Sequence, residues 1–206
     1  MALRGALSDE RFQRYLDASG SEADALRLYV WNAAVSAAFY GPLQAVEITL
    51  RNTVHRSLGS AYGQRWFENS RLLKPGELRI ARDAREALKR VGKVATPGRV
   101  VAELSFSFWV GLFANAYDNT AWRLQLCHAF SPRPPRNQLY ERLDRLRTLR
   151  NRIAHHEPIF QRKLLDDYQR VLDVLDRLSK PVKEWVDHHS RVFETIGRAE
   201  LDTERF

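Results

Sequence analysis

No stretch of this chain alternates apolar and polar residues between hairpin turns. Apolar residues instead recur three and four positions apart over most of its length. That spacing builds amphipathic helices, and each helix has a stripe that another helix must cover. The expected fold class is therefore all-α. Ser8-Asp9-Glu10 signals a short helix over 11–18, and Ser19-Gly20-Ser21 breaks it. A long segment opens at 21–24 and carries Leu26, Tyr29, Val30, Ala33 and Ala37 to Tyr40. Gly41-Pro42 is expected to kink or restart it, because an interior proline lacks the N–H that the helix needs. A further helix then runs over 43–58 on Leu43, Val46, Leu50, Val54 and Leu58. Pro75 opens another, closed by Gly92. Residues 100–117 read as an aromatic core helix, with Trp109, Phe113 and Tyr117 four apart. Helices over 137–156 and 159–178, and a last one over 181–200, complete a single domain over 1–206 with its core at about 8–180.

Two of these helices put charge on the stripe that faces the core. With Leu139 at zero and about 100° per residue, Leu143, Leu146 and Ile153 fall within about 40° of the reference, and so does Arg150. On the preceding wheel Glu47 falls between Leu43 and Leu50, with Arg51 and His55 following at intervals of four. A charge on a buried face is costly unless it is paired. The two helices are thus expected to pack together, with Glu47 near Arg150 or Arg51 in a polar cleft. An ion pair that only fixes helix register is the competing reading.

Arg150, Asn151 and His155 close the second of these helices, and His156 follows. His155 also suits a capping cation at a helix C-terminus. Lysine and arginine outnumber aspartate and glutamate by 33 to 25, for a formal charge of +8. That balance favours polyanionic partners such as RNA. Arg133 and Arg136 in "SPRPPRNQ", with Arg152, are candidate RNA contacts. A histidine of ordinary pKa can take a proton from a ribose 2′-hydroxyl or give one to a leaving oxygen, while an arginine holds the phosphate. Cys127 is the only cysteine, so neither an intrachain disulfide nor a cysteine-rich zinc site is expected. His155, His156 and Glu157 are adjacent and cannot converge on one ion from a regular helix, so no metal or other cofactor is expected. Gly-x-Ser-x-Gly and a phosphate-binding glycine loop are absent. No apolar run is long enough to span a bilayer, so no membrane association and a cytoplasmic location are expected.

"RNRIAHH" is similar to the motif of the HEPN superfamily, an arginine followed after four to six residues by a histidine. "YVWNAAVSAAFYGPLQAVEITLRNTVHRSL", "YGQRWF", "ELSFSFWVGLF" and "LRNRIAHHEPIF", in that order, resemble the Abi-like (AbiD/AbiF-type abortive infection) family of that superfamily, over about residues 8–180. The resemblance implies a HEPN-like helical bundle with additional helices. It further implies a metal-independent endoribonuclease in phage defence, or a toxin of a toxin–antitoxin system. A homodimer and an antitoxin protein are the implied partners besides RNA. Arg150, Asn151 and His155 carry over as the catalytic motif. Glu47, Arg51, Asn52 and His156 are expected to line the same cleft. The alternative is a catalytically inactive RNA-binding or protein-interaction module.

Overall fold

In the computed structural model, which describes residues 5 and 7–197, the described residues form helices and connecting turns with no strand. Helix α1 (Asp9–Ser19) ends where Gly20 takes the left-handed conformation (φ 78°) and donates its N–H to Leu16 O. Its buried Phe12 and Tyr15 join Ala25 in a small cluster against the next helix. That helix, α2 (Glu22–Tyr62), is the spine of the molecule. Ser21 caps it by accepting Asp24 N–H.

The helix α2 does not break at Gly41-Pro42. It continues for 41 residues, about 60 Å at the usual rise. An interior proline costs about 3 kcal/mol. Phe39, Leu43, Val46 and Leu50, on both sides of Pro42, are at most 3% exposed, and their burial in one continuous core outweighs that cost. The expected separate helix at 43–58 is therefore the second half of α2. Gly59 lies inside it, and Gly63 (φ 84°) ends it.

A 3₁₀ turn, Trp66–Glu68, leads to α3 (Pro75–Arg90). The aromatic stretch that follows is not one helix. It divides into α4 (Pro97–Glu103), α5 (Phe106–Gly111) and short turns at Asn115–Tyr117, Asp118–Trp122 and Leu126–Ala129. Ser105 makes the break. Its hydroxyl accepts Phe108 N–H and starts a new helix, while Trp109 Nε1 donates to the freed carbonyl of Leu104. Trp109, Phe113 and Tyr117 are nevertheless all buried.

The helix α6 (Arg136–Ala154) buries Leu139, Leu143, Leu146 and Leu149. The helix α7 (Leu164–Leu178) starts five residues later than its periodicity suggests. The N–H groups of Ile159 and Phe160 bond to Asn32 on α2, which holds this segment as a loop. The C-terminal helix is also divided. The helix α8 (Lys180–His189) stops at Ser190, whose hydroxyl accepts Val192 N–H, and α9 (Val192–Gly197) follows with Val192 fully buried. Residues 198–200 of the expected helix lie outside the described residues. Among the described residues no helix is long and apolar enough to cross a membrane.

Candidate functional site

The two charges that the wheels place on apolar stripes meet where α2 passes α6. Arg150 Nε lies 3.5 Å from Glu47 Oε2. The pair is not deeply buried: the side chains are 40% and 24% exposed. Leu43, Leu50, Leu146 and Leu149 fill the interior of the two stripes and are at most 3% exposed, which leaves the charges at the rim of the core. An ion pair this exposed contributes less than about 1 kcal/mol. Arg51, one turn beyond Glu47, donates from Nε to Asn52 Oδ1 at 3.2 Å and forms no ion pair among the described residues. Glu47, Arg51 and Arg150 border a groove of about 350 Å³ with Tyr40 and Ile48.

The end of α6 presents the histidines. His155 N–H donates to Asn151 O at 2.9 Å and closes the last turn. His156 then adopts the left-handed conformation, φ 56°. That reversal points the chain back towards α2, and three contacts hold it. Glu157 N–H bonds to Arg152 O, Arg152 Nη1 donates to Pro158 O, and Asn32 Oδ1 accepts both Ile159 N–H (2.8 Å) and Phe160 N–H (3.2 Å). Beyond it, Asp167 accepts bonds from Arg162 and Arg170 and fixes the loop to α7.

As a result the two exposed histidines face different surroundings. His156 lines a larger groove of about 740 Å³, together with Arg11, Tyr29 and Tyr40. His155 lines neither groove. The grooves share Tyr40, Ile153 and Ala154, so they form one continuous face along α2. Tyr15 forms part of the wall of the larger one. Burial, and then Tyr29, push its phenol up to about 12.

The sequence model of the Abi-like protein family matches residues 4–161. The chain belongs to the Abi-like protein family. The match spans α1 through α6 and the turn that carries both histidines, and it ends before α7. No match to a curated protein or to a solved structure was found.

In this Abi-like protein the other candidate residues are placed less uniformly. Asn151 is half-buried one position past Arg150, and its amide makes no hydrogen bond among the described residues. Arg152 serves the turn described above and lies 3.9 Å from Glu157. Arg133 and Arg136 do not join the histidines. They lie at the other end of α6, about 20 Å from Arg150 along the axis. Arg133 is exposed there. The Arg136 guanidinium is a structural clamp, only 14% exposed. It donates to Asp118 Oδ1 (3.0 Å), Phe113 O (2.7 Å) and Asn115 Oδ1 (2.9 Å).

His55, on α2 one turn beyond Arg51, is half-buried and accepts Trp66 Nε1–H at its Nδ1, 3.0 Å away. Burial, and then the Arg51 charge, hold its pKa below the ordinary histidine value. A neutral ring is required for that acceptor role. Asn32 escapes motif reading. The signal for Asn32 is a lone amide between the apolar positions Leu28 and Val35 of a helical stripe. Such a residue needs a partner once buried.

Proposed function

We propose that this Abi-like protein is a metal-independent endoribonuclease of the HEPN type, acting in abortive infection against phage or as the toxin of a toxin–antitoxin pair. The observation that carries this reading is the convergence at one end of α6. A half-exposed arginine is braced by Glu47, and an asparagine and two exposed histidines follow it within six residues. In the reaction the ribose 2′-oxygen attacks the neighbouring phosphorus while the bond to the 5′-oxygen breaks. His155 takes or delivers the proton, Arg150 stabilises the charge that develops on the phosphate, and Asn151 orients the reacting groups. His155 does not line the groove that Arg150 borders, and the reading therefore includes a homodimer that brings two such helix ends into one cleft.

Purified protein should cleave single-stranded RNA in EDTA and leave 2′,3′-cyclic phosphate ends. Arg150→Ala and His155→Ala should each slow cleavage by about a hundredfold or more. Undiminished cleavage by both variants overturns the assignment. A catalytically inactive RNA- or protein-binding module is the second reading. The absence of His155 from the groove that Arg150 borders favours it. RNA binding without cleavage would establish it.

A further inference from the structure

Tyr40 is the most exposed large aromatic side chain of the described residues, at 66%. The others that are strongly exposed have ring partners. Trp185 packs on His189, with centroids 5.6 Å apart, and Phe193 packs on Tyr168 at 5.4 Å. Tyr40 has neither a ring contact nor a hydrogen bond among the described residues. It belongs to both grooves and stands at their junction. Small side chains help line the larger groove beside it: Ala33 and Ala37 on α2, and Ala154 at the end of α6. The result is an open shelf with one projecting aromatic face.

Cations flank the shelf on both sides. Arg51 and Arg150 lie in the smaller groove. Arg11 borders the larger one, and Arg14 stands with it in an adjoining cleft beside His156. Among the described residues no carboxylate lies within ion-pair range of Arg11, Arg14 or Arg51. The acidic side chains of these grooves are Glu10, Glu47 and Glu157. Glu47 is matched by Arg150, and Glu157 lies beside Arg152. Glu10 alone stands against Arg11 and Arg14, so the net charge is positive at both ends of an apolar, aromatic centre. A flexible anionic chain that carries flat apolar groups fits this pattern, with stacking in the middle and phosphate contacts outside. Duplex RNA does not fit, because its bases are already stacked and paired.

We propose that Tyr40 is the base-stacking platform of this surface: an unpaired base of single-stranded RNA lies on its ring, and the strand's phosphates run to Arg51 and Arg150 on one side and to Arg11 and Arg14 on the other. This rests on the ribonuclease reading and adds to it the subsite that holds the substrate. Tyr40 touches the substrate away from the reacting phosphate, so it sets affinity rather than the chemical step.

The test uses the full-length protein and a fluorescein-labelled 2′-O-methyl oligouridine, which cannot be cleaved through its 2′-oxygen, with an abasic strand of equal length as partner probe. Tyr40→Ala should weaken oligouridine binding about tenfold, within the range for loss of one base–aromatic stack. Tyr40→Phe should bind like the parent. The abasic strand should bind parent and Tyr40→Ala alike. In cleavage assays Tyr40→Ala should raise KM and leave kcat nearly unchanged. Equal oligouridine affinity for Tyr40→Ala and parent overturns the platform, and does not touch the ribonuclease reading while Arg150→Ala still slows cleavage about a hundredfold or more. A shift in the monomer–dimer balance of Tyr40→Ala, with RNA affinity intact, also overturns it and makes this face a contact between copies. Parent protein that neither binds oligouridine nor cleaves RNA defeats both readings together.

Discussion

Asn32, near the start of α2, accepts the backbone N–H of Ile159 at 2.8 Å across 127 positions of sequence. The same oxygen accepts Phe160 N–H at 3.2 Å. These bonds tie the segment after the histidines to the spine of the fold. Asn32→Ala strands two backbone donors, one of them fully buried, and should cost roughly 2 kcal/mol or more. Urea unfolding measures this directly. A midpoint equal to the parent's would show that the loop holds its course without Asn32.

Glu47 and Arg150 make the opposite kind of contact, with little effect on stability and a large one on orientation. Because the pair is half-exposed, Glu47→Gln should change stability by less than about 1 kcal/mol. It should nevertheless slow RNA cleavage by about tenfold or more, since misplacing a phosphate-binding arginine costs positioning. Thermal melting and a cleavage assay on the same preparation separate the two effects. A strong loss of stability would mean that the charges are desolvated more deeply than their exposure indicates.

His55 gives the fold a pH dependence of known sign. Its pKa in the folded protein is lowered by burial first and by Arg51 second. The unfolded chain therefore binds the proton more readily. The contribution of His55 is fully present above the unfolded value, about 6.5. It is lost as pH falls from there through the folded value. Stability measured by urea between pH 7 and pH 5 should thus decline more steeply in the parent than in His55→Asn. Parallel curves would contradict the neutral-acceptor role opposite Trp66.

Arg136 tests the difference between a basic residue and a nucleic-acid contact. Its guanidinium makes three short hydrogen bonds within the protein. Arg136→Ala should cost about 2 kcal/mol or more in unfolding free energy. RNA affinity, measured where the variant is still folded, should stay within about twofold of the parent. Arg51→Ala should show the reverse, with weaker RNA binding, a shallower salt dependence and nearly unchanged stability.

Much of this molecule is legible one helix at a time. The spacing of Leu139, Leu143, Leu146 and Leu149 defines the buried side of α6, and the wheels alone call for an arginine, Arg150 or Arg51, beside Glu47, because apolar stripes pack together and charges on them need partners; the fold selects Arg150. What the tertiary structure decided are the cases in which distant residues compete with local preference. Core burial on both sides of Pro42 keeps α2 whole, although proline disfavours it locally. Ser105 and the packing of Phe108 and Trp109 divide a stretch whose periodicity alone reads as continuous. Asp118 and Asn115 engage Arg136, so a positive charge visible in sequence does not face solvent. Asn32, more than a hundred residues away, anchors the reversal at His156, and that reversal sets the two neighbouring histidines in different surroundings. Periodicity reports which face of each helix is apolar. Only the assembled core determines which partner each polar group meets, because that depends on which distant segments pack beside it.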